Sequence, residues 1–422
     1  MDPVGQLAPQ EWMDAPETRA VIAALRAEGA EVRFVGGCVR DAVLKRPIRD
    51  VDIATHDPPE RVMLLLEQAG IRAVPTGIEH GTVTAVVGHA HFEVTTLRED
   101  VETFGRHARV EFTDDWAADA ARRDFTINAL FADPEGRIYD PFNGLQDLGA
   151  GRVRFVGDPT KRIEEDVLRL LRFFRFFAWY GRPPPDPYSL AACRHMAPLL
   201  PRLSGERVCG EILKLLLAPD PASVMVLMHG ERVLPHVLPD AVDFGRLRVL
   251  CWLETRGLKR PEVAPDAIRR LAAVLRVDGP GVLVVADRLR LSNHQTKRLA
   301  RLCAPPLIPD PAMTPPAARR ALRRLGAEDF RDLALLAWAA RKAVEALPAP
   351  AETAAWTALL DQAAAWVPVE MPVRGRDVLD LGVPPGPQVG TLLGAVERWW
   401  EERDYQPGRD EALAHLSELT RL

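Results

Sequence analysis

The 422-residue chain lacks the features that mark a secreted or membrane-bound protein. Its five cysteines (Cys38, Cys193, Cys209, Cys251, Cys303) are scattered and form no CxxC pair. That excludes a disulfide framework and a thiolate zinc site. No apolar run approaches the ~18 residues of a membrane span. The richest stretch, Leu168 to Tyr180, is broken by Arg169, Arg172 and Arg175. Met1-Asp2-Pro3 is neither basic nor apolar, which predicts no signal peptide and leaves the cytoplasm as the default location. An overall excess of positive charge is also missing: 54 Lys+Arg against 59 Asp+Glu give −5. No fixed-period repeat stands out. What is present is the balance of a globular protein, 47% hydrophobic and 27% charged. The length is enough for about two to four domains at ~150 residues each.

Local charge differs from the total. Arg152 to Arg182 carries a net +4, Asp287 to Arg301 another +4, and Arg319, Arg320, Arg323 and Arg324 follow within one short stretch. Such stripes suit a local phosphate-binding surface, and each taken alone also suits a solvated helix face. Nearly all strand signal lies in the first ~150 residues: Val32-Arg33-Phe34-Val35, Val51 to Ala54, Thr82 to Val87 and His91 to Thr95, with a helical pattern over Pro59 to Gln68. After Asp158-Pro159, Leu, Ala and Arg at helical spacing continue to the C-terminus. Pro-rich joints stand at Pro305-Pro306 and Leu347 to Pro350, and Gly375 to Gly394 reads as a turn between helices. The fold class is therefore α+β, a mixed-sheet domain followed by an all-helical remainder.

The strongest local signal is Phe34-Val35-Gly36-Gly37-Cys38-Val39-Arg40-Asp41, followed by Asp50-Val51-Asp52-Ile53. Two glycines between a strand and a helix let backbone amides approach a phosphate. Residues two apart in a strand share a face, so Asp50 and Asp52 lie side by side and repel unless a cation joins them. Mg²⁺ commonly takes one or two carboxylates plus substrate phosphates. Glu93, in a strand that can lie beside the first, is the best third carboxylate. His89, His91 and Glu93 at spacing two also match a His/carboxylate metal set; polar residues alternating on a solvent face explain them more simply. The second signal is Arg122-Arg123-Asp124-Phe125-Thr126-Ile127-Asn128-Ala129-Leu130. Arginine clamps phosphate oxygens through a planar fork of donors, and Asp124 either orients an arginine or caps a helix begun by Phe125. Asp140-Pro141-Phe142-Asn143-Gly144 reads as a turn linking the mixed domain to the helical one.

The third signal places Asp166, Arg169, Arg172 and Arg175 every three residues, expected on one helix with Leu and Phe filling its other half. Three arginines against one aspartate leave positive charge for an anion or a base. Ionised Asp only accepts hydrogen bonds and Arg only donates. Cytosine and adenine both present an amine beside a ring acceptor, whereas uracil and guanine present a carbonyl beside a ring N–H. One Asp–Arg pair can therefore accept C and A and reject U and G.

These motifs, with Arg202-Leu203-Ser204-Gly205-Glu206-Arg207, resemble in order and over residues 30–215 the bacterial tRNA nucleotidyltransferase / poly(A) polymerase family, the class II CCA-adding enzymes. The resemblance implies a polymerase-β-like nucleotidyltransferase head (1–150), then a helical neck (151–220), body (221–346) and tail (347–422), the last two holding the tRNA acceptor region. It assigns Asp50 and Asp52 to Mg²⁺ and makes Glu93 the third catalytic carboxylate. Gly36, Gly37, Arg40 and Arg123 hold the triphosphate, Asp166 and Arg169 read the base, and Arg172 and Arg175 support nucleotide binding. The implied reaction is attack of the tRNA 3′-hydroxyl on CTP or ATP with release of pyrophosphate. No membrane and no protein partner are implied.

Within the family, poly(A) synthesis and partial A- or CC-addition are the alternatives. Gly77-Ile78-Glu79-His80-Gly81-Thr82-Val83-Thr84 and Glu93-Val94-Thr95-Thr96 resemble the CCA-adding branch. No Gly-Arg-Arg-Phe-type sequence precedes the third carboxylate, as it tends to in the polymerase branch. Arg98 to Phe112 is expected to be the polar loop that switching from C to A is thought to need. The His-Asp doublet His56-Asp57 precedes Pro58 in the head, so no phosphohydrolase activity is expected.

Overall fold

The structure, a computed structural model, describes residues 1–104, 107–345 and 350–421. The N-terminal part holds the strands β1 (Gly5–Gln6), β2 (Val32–Val35), β3 (Val51–Thr55), β4 (Arg72–Gly77), β5 (Thr82–Val87), β6 (Ala90–Thr96), β7 (Arg98–Phe104), β8 (His107–Phe112), β9 (Phe131–Ala132) and β10 (Arg137–Tyr139). Eight of them form one sheet in the order β1-β10-β9-β2-β3-β6-β5-β4. β3 and β6 run parallel, and the neighbours of each on the other side are antiparallel. β2 falls on the expected apolar run, β3, β5 and β6 fall where the alternation predicts them, and the helix Pro59–Gln68 stands where its pattern places it. In β6 the alternation is visible directly: Phe92, Val94 and Thr96 are buried while His91 and Glu93 are exposed.

One face of the sheet buries Phe34, Ile53, Val83 and Val94 with Leu65 and Leu66 of the Pro59–Gln68 helix. A separate cluster gathers Val35, Ala54, Leu97, Trp116, Phe131, Tyr139 and Val156. Two expectations change here. Arg98 to Phe112 is a two-stranded antiparallel ribbon of β7 and β8 rather than a loop, pairing Arg98 with Phe112 and Glu99 with Glu111; its residues 105–106 lie outside the described residues. His89 lies in the turn between β5 and β6, so it shares no strand face with His91 and Glu93.

From Pro159 onward the elements are helical, beginning with Pro159–Glu165, whose first turn is capped by Asp158 Oδ1 accepting from Lys161 N at 3.0 Å. The next helix is Leu168–Tyr180, and the four-residue ladder is not intact. Asp166 stands before it in extended backbone (φ −151°, ψ 107°), so only Arg169, Arg172 and Arg175 are helical. The cause is local: the Asp166 carboxylate accepts from the Leu168 N–H at 3.1 Å, an Asp-initiated start of the kind that competes with helix continuation.

The chain divides into two compact units, Met1–Pro239 with Arg288–Arg290, and Asp240–Asp287 with Leu291–Leu422. The second unit contains a buried ion cluster. Arg269 donates to Glu254 and to Asp332 (2.7 Å), Arg270 donates to Glu254 (2.6 Å), and Arg298 joins Asp332 to Asp266. Its last helices, Gly375–Asp380, Pro387–Glu402 and Arg409–Arg421, pack around Val373, Val378, Val396, Ala412 and Leu416. The expected turn inside Gly375 to Gly394 is confined to the six residues between the first two of these helices. The Pro305-Pro306 joint also separates helices, Asn293–Cys303 and Pro315–Leu325. The joint at Leu347 to Pro350 falls mostly on residues 346–349, outside the described residues.

The Asp140 to Gly144 turn is tied by Asp140, which accepts from the amides of Gly144 (2.8 Å) and Leu145 (2.9 Å), with Asn143 at φ 59°. A Cβ on Gly144 would lie 2.2 Å from the carbonyl oxygen of Thr126. Gly144→Ala is therefore expected to destabilise the first unit by about 1–3 kcal/mol, read as a lower denaturation midpoint. A midpoint equal to that of the parent chain would refute the close approach.

Candidate nucleotide site

Register on the sheet brings the acidic residues together. Asp52 of β3 and Glu93 of β6 are Cα partners on adjacent parallel strands, and Asp50 lies exposed just before β3. The side chains of Asp50, Asp52 and Glu93 take no hydrogen bond or ion pair within 4 Å among the described residues. Burial, then the charge of Glu93 and, more weakly, that of Asp50, raises the Asp52 pKa to about 6. Among the described residues no three His, Cys, Asp or Glu side chains are gathered closely enough to hold a metal unaided. The charges of Arg123 and Arg40 offset the rise at Asp52 only in part, and crowded carboxylates left partly uncompensated fit a hard cation that takes some of its oxygen ligands from a substrate phosphate.

Beside Asp52 opens a cleft of about 470 Å³. Gly36, at φ 72° and ψ −118°, makes the turn from β2 into the Gly37–Val43 helix, and its N–H donates to Leu130 O at 3.0 Å. This conformation favours glycine. The missing Cβ atoms leave the turn open towards two guanidinium groups: they would lie 3.5 Å from Arg123 Nη1 at Gly36 and 3.7 Å from Arg40 Nη2 at Gly37. Cys38, buried under the turn, donates to Val35 O, and its burial pushes the thiol up to about 12.

Each cleft arginine is held from behind by an acid. Asp119 accepts from Arg122 (2.8 Å) and Arg123 (2.9 Å). Burial alone would raise the Asp119 pKa, but these two charges outweigh it and hold the carboxyl below its ordinary value. Arg40 is gripped by Asp41 (3.0 and 2.8 Å) and Asn128 (2.5 Å) and lies over Tyr180. Of the two roles the sequence leaves open, Asp124 takes the orienting of an arginine, and the short helix after Phe125 has no side-chain cap. It accepts from the Phe125 amide (2.9 Å), at the start of the one-turn helix Thr126–Asn128, and from Arg172 Nε (2.7 Å).

The positive charge expected on the Leu168–Tyr180 helix is thus compensated: Arg169 pairs with Glu165, Arg172 with Asp124, and Arg175 with the buried Glu211. Asp166 pairs not with Arg169 but with Arg207, at 2.7 Å. Gly36, Gly37, Arg40, Asp52, Arg123, Asp166, Arg169 and Arg172 all line the cleft. Asp50, Glu93 and Arg175 do not. Asp50 lies just before β3 and Glu93 in the middle of β6 opposite Asp52, and Arg175 is pinned to Glu211 with its guanidinium over Phe176. The cleft also contains Arg122, Asp124, Asn128, Phe176 and Arg207, none of which the family resemblance assigns to the nucleotide. All of these but Phe176 and Arg207 sit inside the Arg122 to Leu130 motif, and Arg207 closes the Arg202 to Arg207 element.

A mixed sheet that presents neighbouring carboxylates to a cleft of preset arginines defines a nucleotidyltransferase. Residues 32–154 match the poly A polymerase head domain, and residues 185–244 match the probable RNA and SrmB-binding site of polymerase A. The mitochondrial CCA tRNA nucleotidyltransferase 1 of Danio rerio is 35% identical over 92% of this chain and 87% of its own. The CCA-adding enzyme of Limosilactobacillus fermentum is 33% identical over 92% and 94%. The crystal structure of the Bacillus stearothermophilus CCA-adding enzyme in complex with CTP superposes with a TM-score of 0.77 at 29% identity, over 96% of this chain and 98% of that one. The chain belongs to the CCA-adding tRNA nucleotidyltransferase family.

The raised Asp52 pKa has a signed consequence. Without divalent ions the folded state keeps a proton that the unfolded chain, with the ordinary value of 3.8, has released. This group therefore favours folding at low pH, and the contribution is lost as pH rises from about 4 to 6. Asp52→Asn, melted in chelator, is expected to raise Tm at pH 7 and to change it far less near pH 4. Equal shifts at both pH values would contradict the crowding of carboxylates.

Proposed function

We propose that this chain adds C, C and A to the 3′ end of tRNA from CTP and ATP, with residues 1–150 as catalytic head, 151–220 as neck, 221–346 as body and 347–422 as tail. One observation carries the reading: Asp52, registered beside Glu93, and the base-facing candidates Asp166 and Arg169 belong to the same fold unit, with Asp52, Asp166 and Arg169 lining one cleft. The family's reaction takes a divalent cation, and we assign Mg²⁺, held by Asp50 and Asp52 with Glu93 completing the acidic set. When bound, such a cation activates the attacking oxygen and neutralises charge on the leaving pyrophosphate.

The rest is done by the chain's own groups. Arg123, fixed by Asp119, and Arg40, fixed by Asp41, present donors to the triphosphate with little reorganisation, which is where electrostatic catalysis of phosphoryl transfer gains most. Asp166 already accepts one bond on each oxygen, from Leu168 N and Arg207, and retains a lone pair on each for the exocyclic amine of C or A. Arg169, tethered by Glu165 and by the carbonyl of Arg162 (3.1 Å), offers its remaining N–H groups to the ring acceptor. Arg172 and Arg175 back the neck side of the nucleotide. The same reading locates the enzyme in the cytoplasm, where five unpaired cysteines are unremarkable. No described helix is long and apolar enough to cross a membrane.

The test is incubation of the full chain with tRNA lacking its last three nucleotides and each NTP singly and in pairs. CTP with ATP should give three added nucleotides, and UTP and GTP should give none. In Asp166→Ala the preference for CTP over UTP should collapse, with triphosphate affinity changed far less. A preference that survives the substitution removes Asp166 from base reading.

For the RNA, the second unit offers a cleft of about 770 Å³ between the helices Pro315–Leu325 and Pro387–Glu402. Arg323 is consumed by Glu397 (2.6 Å) and Glu401 (2.9 Å). Arg320, Arg324 and Arg398 are exposed and take no carboxylate partner among the described residues. These three are read as phosphate contacts. Replacing all three with Ala should weaken tRNA binding and flatten the log–log salt slope by about 0.7–0.9 per lost contact. The KM for CTP should not move. An unchanged slope rejects this surface.

A further inference from the structure

Asn128 is where the head side and the neck side of the nucleotide cleft meet. It ends the one-turn helix Thr126–Asn128, is only 8% exposed, and lines the cleft. Its amide works in both directions. Oδ1 accepts from Arg40 Nη1 at 2.5 Å, and Nδ2 donates to Asp124 Oδ1 at 2.9 Å. The second oxygen of Asp124 takes Arg172 Nε at 2.7 Å. Asp41 holds the other edge of Arg40. The outcome is an unbroken run, Asp41–Arg40–Asn128–Asp124–Arg172, from beside the glycine turn to the helix that carries the base-side arginines. Asp124 and Arg40 are themselves 9% and 7% exposed, so water offers little substitute for a missing member.

We infer that Asn128 is a positioning residue that sets Arg40 and Arg172 as one assembly, so that the two sides of the nucleotide grip are fixed together. The inference rests on the nucleotide reading above. A neutral amide is the group that suits this place: it must accept from a guanidinium and donate to a carboxylate at once. Its orientation follows from those neighbours, because the flipped amide would put N–H against N–H and oxygen against oxygen. A carboxylate here would face Asp124, and a methyl group would leave Arg40 Nη1 without this acceptor and Asp124 Oδ1 without this donor.

The experiment uses the full chain and tRNA lacking its terminal CCA, with KM and kcat measured for CTP and ATP and Kd measured for the tRNA. Asn128→Ala should raise both nucleotide KM values together by about tenfold, the size expected for one buried hydrogen-bond link. The kcat, the CTP-over-UTP ratio and the tRNA Kd should stay near those of the parent. Asn128→Asp, close to isosteric, keeps the acceptor for Arg40 but opposes Asp124, and should raise KM further than Ala does. It also carries the test if the Ala variant does not fold. A nucleotide KM unchanged within about twofold in both variants overturns the inference, as does a loss confined to kcat. A parent chain that adds no C or A at all fails the functional reading instead.

Discussion

Two carboxylates on neighbouring parallel strands are the constraint around which the first unit is arranged. Parallel pairing puts Asp52 opposite Glu93, and Asp50 follows on the same approach. Ile53, Phe92 and Val94, next to the acids along the strands, are buried, whereas Glu93 is exposed and Asp52 half-buried, so the acids stand on the solvent side of an apolar sheet. Burial first, and the like charge of Glu93 second, make an ionised Asp52 unfavourable there, as its raised pKa records. The sheet tolerates the cost because the register is enforced elsewhere, by Ile53 against Val94 and by the antiparallel neighbours β2 and β5. The repulsion is relieved in part by the charges of Arg123 and Arg40, and a bound cation would relieve it further.

The cleft beside these acids is not a bare positive patch. Its arginines are paired from the protein side, Arg123 with Asp119, Arg172 with Asp124 and Arg169 with Glu165. Half-buried guanidinium groups without such partners would be costly to desolvate. With them, the forks are held in one orientation while their remaining N–H edges stay available. Burial would push the Asp119 and Asp124 carboxyls up, and the arginines override it, so both stay ionised well into acid. The site thus combines one set of acids kept charged by arginines with another set kept short of counter-charge.

Much of this was legible in the sequence, for definable reasons. An apolar run before two glycines marked β2, alternation marked β3, β5 and β6, and a strand able to lie beside β3 singled out Glu93. The strands β1, β9 and β10 escaped because two or three residues carry no periodicity, and the β7–β8 ribbon escaped because the charged run Arg98-Glu99-Asp100 at its start reads as loop, although His107 to Phe112 alternates. The Asp166 ladder was misread since residue spacing alone cannot show a carboxylate turning back on the amide two residues ahead. Partners far along the chain were equally invisible: Glu211 for Arg175 and Arg207 for Asp166 lie 36 and 41 residues away.

The nucleotide cleft draws every one of its lining residues from Met1–Pro239, whereas the free arginines of Arg320, Arg324 and Arg398 stand in the other unit. The two clefts are consequently lined from separate stretches of the chain, so a substitution in the lining of one leaves the residues of the other unchanged.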